Sequence, residues 1–156
     1  MEFDVKMNAS VLYDYMLHHT YSGFSGVLGT GIGALLIIVY AMGGNLYFGI
    51  MGLVILLYLP CTLFMRSRRQ ALSNPTFKEP LHYVMDEEGV TVSQGDVSQD
   101  VRWDAVVKAN SSGKSIFLYT SPVNAWIFPK KDLGQKKDGV IEMISTHVSP
   151  KKVNIK

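Results

Sequence analysis

Two long stretches of this chain carry apolar side chains almost without interruption, and the stretch that follows them alternates. Gly23 to Met42 reads GFSGVLGTGIGALLIIVYAM and Leu46 to Met65 reads LYFGIMGLVILLYLPCTLFM, each twenty residues without a charge. At about 1.5 Å rise per residue, either run covers the roughly 30 Å hydrocarbon core of a bilayer, which predicts spans at 23–42 and 46–65. Gly43-Gly44-Asn45 between them is a short turn of types that tolerate positive φ, so 23–65 reads as a two-helix transmembrane hairpin.

Before the hairpin, in residues 1–22, EFDVKM alternates like a short strand, and Asn8 can cap an amphipathic helix from Ala9 to about Tyr21 that leads into the first span. The opening MEFDVKMNAS lacks the basic start of a secretory leader, so no cleavage is expected. Residues 66–80 form a basic juxtamembrane linker broken by Pro75 and Pro80. From 81 to 149 the apolar period becomes two. LHYVM and VTVS flank a turn at Asp86–Gly89, then come DVRW, VVKAN, SIFLYT and VNAWIFP, and a helix from Asp132 to about His147 follows. Residues 150–156 read as a basic tail. Short antiparallel strands with one amphipathic helix bury their apolar faces by curling the sheet and plugging it with the helix. The fold class is therefore an α+β membrane protein, a transmembrane hairpin plus a small antiparallel β half-barrel closed by a C-terminal helix.

Charge orients this layout. Only 18% of the 156 residues are charged, against roughly 25% in soluble domains, and none lies between Thr20 and Met65. Residues 1–65 hold one Lys against three acids, while the rest of the chain holds 14 basic residues against ten acids. Arg66, Arg68 and Arg69 directly follow the second span and the connecting turn carries no charge, so both termini are expected in the cytoplasm of a multi-pass cell-membrane protein. Within the first span, Ser25, Gly29 and Gly33 form a small-xxx-small seam for helix packing, either against the second span through Gly49 and Gly52 or in a homo-oligomer.

Candidate chemistry is sparse. Cys61 is the only cysteine, which excludes a disulfide framework and a C-x-x-C site. GTGIGA lies mid-span, away from the strand–helix context of a dinucleotide fingerprint, and Ser111-Ser112-Gly113-Lys114-Ser115 lacks the first glycine of a phosphate loop and reads as a hairpin turn. Asp14 and His18 are spaced to meet at i, i+4 but do not complete a coordination sphere. No catalytic, cofactor or metal residue is assigned, and no nucleic-acid partner is expected. An enzyme built on Asp86, Glu87, Glu88, Asp100 or Asp104 is disfavoured, because these acids fall in turns and on polar strand positions.

The segments LHYVMDEEGVTV, VRWDAVVKA and FLYTSPVNAWIFPKKDL resemble the YcxB-like family of bacterial membrane proteins, and the order of elements resembles it along essentially the whole chain. The resemblance implies a C-terminal domain of pleckstrin-homology type, without assigned activity, and suggests that EFDVKM joins its sheet. The expectation is a membrane-anchored cytoplasmic binding module acting in protein–protein interaction or regulation. The alternative is capture of anionic lipid headgroups by Arg66, Arg68, Arg69, Lys130, Lys131, Lys136 and Lys137, each worth about 1 kcal/mol near an anionic surface.

Overall fold

The computed structural model describes residues 1–155, the Ser25 side chain excepted. Strand β1 (Glu2–Val5) precedes three helices, α1 (Ala9–Tyr21), α2 (Phe24–Ala41) and α3 (Leu46–Ser73). Six strands follow: β2 (Leu81–Met85), β3 (Gly89–Gln94), β4 (Val97–Arg102), β5 (Lys108–Ser111), β6 (Ser115–Tyr119) and β7 (Ala125–Pro129). A short α4 (Lys130–Leu133), the closing helix α5 (Lys137–His147) and a two-residue β8 (Val153–Asn154) complete the α+β chain.

Asn8 starts α1 as its pattern requires: the side-chain Oδ1 accepts from the Val11 amide at 3.0 Å. The helix does not run into α2. It ends at Tyr21, and Gly23 takes an extended conformation before α2 begins. Helix α3 outlasts its apolar run by eight residues, because Arg66 to Ser73 contains no breaker before Asn74-Pro75. Of its most apolar window only 17% is buried within the protein, and that helix is long and apolar enough to cross a membrane. Helices α1 and α2 pass the same test only as a bent pair.

The strands form two four-stranded sheets rather than one curled sheet, in the orders β1-β2-β3-β4 and β7-β6-β5-β8. The N-terminal strand does join the module. Antiparallel pairing sets Phe3 opposite Tyr83 and Val5 opposite Leu81, so the chain leaves the sheet, makes the helical hairpin and returns to the next strand. Side chains from both sheets and α5 share one core that includes Phe3, Val5, Met85, Val90, Phe128, Val140 and Ile144. The closing helix is split where a continuous one was expected from Asp132. Gly134 stands at φ +53° between α4 and α5, a left-handed conformation that ends the first piece. The segment after α5, expected as a tail, turns back and pairs with β5.

Helix α1 fastens the sheets to the long helices. Val11 and Leu12 are buried, Tyr15 packs on Phe117 and Tyr119 of β6, and Tyr13 meets Phe64 of α3 edge-on at 5.6 Å.

Candidate functional site

A mostly apolar groove of about 390 Å³ lies between the two sheets. Tyr83 from β2 and Trp126 from β7 form its floor, edge to face at 5.8 Å. Alternation explains the arrangement: Tyr83 faces inward between outward His82 and Val84, and Trp126 stands opposite Leu118 on the neighbouring strand. Leu12 and Tyr15 of α1 and Phe77, just past α3, enclose the sides, while Gln70, Gln99 and Asn124 supply polar rim groups. Tyr15 is held there by its hydroxyl, which donates to the Val123 carbonyl at 2.9 Å. Burial pushes the Tyr83 hydroxyl far above the usual phenol range, and burial followed by the neighbouring Tyr15 pushes Tyr119 up to about 12. Both stay neutral donors at any physiological pH. β7 is an edge strand of its sheet, so the groove runs beside a backbone edge.

The basic residues do not converge on one concavity. Lys130 and Lys131 line a smaller cleft of about 280 Å³ with Ser10, Asp14 and Lys114. The Lys130 ammonium donates to the Ser112 carbonyl at 2.7 Å, and Lys136 donates to the Glu2 carbonyl at 2.6 Å beside a different hollow. Lys137 lies 3.6 Å from Asp138. Arg66, Arg68 and Arg69 are exposed along α3, with Arg68 over the Phe64 ring. In the first span, Gly29 and Gly33 face Leu59 and Leu56 of α3 in the same chain. The Ser25 side chain lies outside the described residues.

The phosphate-loop look-alike resolves into a self-capped turn. Ser112 Oγ accepts from the amides of Lys114 and Ser115 at 3.1 and 3.0 Å, so the groups that would cradle a phosphate are already satisfied. That hydroxyl donates to Asp14, and the expected Asp14–His18 pair does not form its bond. His18 lies against the Phe117 ring at 5.0 Å, its Nε2 is buried without a hydrogen-bond partner, and burial holds its pKa below the usual value despite Asp14 nearby. Among the described residues no group of three or more His, Cys, Asp or Glu could hold a metal ion.

Sequence reasoning missed His147. Its ring stacks on Trp103 at 5.3 Å, Nδ1 lies 2.9 Å from the Met143 carbonyl and Nε2 lies 3.0 Å from Glu87. Two acceptors for two ring nitrogens suit the imidazolium, so the Met143 carbonyl first and Glu87 second raise its pKa; Glu88, Arg102 and Asp104 share the hollow. With the folded value raised, the stabilisation is fully present below the ordinary histidine range and is lost as pH rises through the folded value. Glu87→Gln is expected to lower the His147 midpoint in an NMR titration of its ring protons. An unchanged midpoint would show that the contact carries no weight.

The architecture is a two-sheet α+β module with a helical plug, joined to a pair of apolar helices. Residues 86–144 match the sequence model of the family described as YcxB-like protein. That match runs from the β2–β3 turn into α5, a stretch similar to the family that excludes the long helices. Neither the curated proteins nor the solved structures gave a match.

Proposed function

We propose that this is a membrane-anchored binding module of pleckstrin-homology type that holds an extended segment of a protein partner at the inner face of a bacterial cell membrane. In this reading α2 and the apolar part of α3 span the bilayer as a hairpin, and Arg66, Arg68 and Arg69 keep both termini in the cytoplasm. The groove floored by Tyr83 and Trp126 carries the functional reading, because it is apolar, polar-rimmed and beside an edge strand. Exposed Phe24, Val27, Leu35, Leu53 and Tyr58 support the spanning hairpin, since water would solvate such a surface poorly. Headgroup capture has less support, because Lys130 and Lys136 are engaged with backbone carbonyls in separate hollows.

A photo-crosslinker at Asn124, on the groove rim, tests the reading in cells, with one at exposed Asp138 as control. The expected result is a discrete adduct at Asn124 alone, reduced at least about ten-fold by Trp126→Ala, as loss of a buried aromatic anchor predicts. Adducts equal at both positions, or salt-sensitive binding of the full chain in nanodiscs to anionic vesicles that survives Trp126→Ala, would sink it.

A further inference from the structure

β5 also carries a strand that the sequence pattern did not announce. After α5 the chain turns at Pro150, where the Lys152 amide donates to the Ser149 carbonyl, and β8 lies parallel to β5. The register sets Ala109 opposite Val153 and Asn110 opposite Asn154, covering half of four-residue β5. Val153 and Ile155 pack half-buried against the core, exposed Asn154 points away, and the Lys152 ammonium donates to the Val106 carbonyl at 3.0 Å. This is the alternation of a bound strand, made by a segment far shorter than the usual five or six residues.

We propose that the β5 edge is a docking strand for a protein partner's extended segment of basic–aliphatic–polar–aliphatic pattern, and that Lys152 to Ile155 occupies it in cis as a displaceable stand-in. The seated segment shows which chemistry the edge accepts. Parallel pairing gives main-chain affinity, two shallow apolar seats take the aliphatic side chains, and the Val106 carbonyl takes a cation. Tethering makes the cis segment an effective competitor at roughly millimolar local concentration, so an intact chain resists weak trans ligands and yields to one with a longer register. The surface lies at the opposite edge of the sheet from β7, and the proposal shares with the groove reading only the idea that the module binds extended protein segments.

The test uses the full-length chain in nanodiscs and a fluorescein-labelled peptide with the sequence of residues 149–155. A chain carrying Val153→Asp with Ile155→Asp frees the edge. It is expected to bind the peptide at least about ten-fold more tightly than the intact chain, and a peptide with the same two changes is expected not to bind. Trp126→Ala leaves this binding unchanged, so failure here and failure of the groove reading are separable. If the freed chain does not fold, hydrogen exchange on the intact chain decides: excess peptide is expected to speed exchange at 153–155 and leave 108–111 protected. Equal peptide affinity for freed and intact chains, no binding to a folded freed chain, or unaltered exchange at 153–155 would each overturn the proposal. A second copy exchanging the same segment, seen as dimer formation by the intact chain, would overturn the assignment to a different protein.

Discussion

Truncating Phe128 to alanine is expected to remove about 3–5 kcal/mol of folding stability, much of the margin of a small domain. The side chain is fully buried in β7 and meets two other rings edge-on, Phe3 at 5.5 Å and Tyr83 at 5.0 Å. Losing it opens a cavity where three strands from two sheets converge. Phe3 belongs to β1, before the helical hairpin, so the same substitution tests whether the two ends of the chain fold as one unit. Urea unfolding of the full chain in micelles, followed through Trp126 beside Tyr83, measures the loss. In a double-mutant cycle, Phe3→Ala and Phe128→Ala should couple by about 0.5–1.5 kcal/mol, as aromatic pairs do. Strictly additive effects, or a Phe128→Ala loss below about 1 kcal/mol, would mean that β1 is not integral to the core.

How far such packing was legible depends on the range of the forces involved. Local signals served well: Asn8 before Ala9 and the alternation of LHYVM each act within a few residues, and the structure places them as read. Signals that depend on distant partners were weaker. Nothing local says that Glu2–Val5 pairs with Leu81–Met85 across the helical hairpin; only the family resemblance suggested it. The two sheets, in place of one, follow from the break at Trp103, where the indole donates to the Asp86 carbonyl at 2.9 Å and a short helical turn replaces the expected strand. Period-two reading could not see that turn, because Val101 and Trp103 alternate correctly on either side of Arg102. The groove was illegible for the same reason, its walls coming from α1, α3, β2 and β7. The β8 strand was hidden by its composition: Lys151-Lys152-Val153-Asn154 looks like a solvated tail until β5 offers it a backbone edge.

Gly52→Leu is expected to destabilise the α2–α3 pair by about 1–3 kcal/mol. A Cβ at Gly52 would stand 2.8 Å from the Gly33 carbonyl oxygen and 3.0 Å from Ile37 Cγ1, and one at Gly33 would stand 2.8 Å from Leu56 Cγ. The first obstruction is backbone and cannot rotate aside, so the helices must separate. On the membrane reading proposed above, close approach itself supplies the attraction between the apolar helices, which separation forfeits. Gly31 is the control, since a Cβ there meets nothing within 4 Å and Gly31→Leu should be tolerated, with a small gain in helix propensity. Gly29 is intermediate, because its Cβ would make an ordinary contact with Leu59 Cδ1 at 3.6 Å, so Gly29→Ala should be near neutral. Loss of helicity against SDS in mixed micelles measures the series. The order Gly52→Leu far worse than Gly29→Ala, with Gly31→Leu harmless, identifies the seam as internal to one chain. If Gly33→Leu and Gly52→Leu instead kept the monomer intact and abolished a dimer, the glycines would serve an interface between copies, and the packing of α2 on α3 would have to be redrawn.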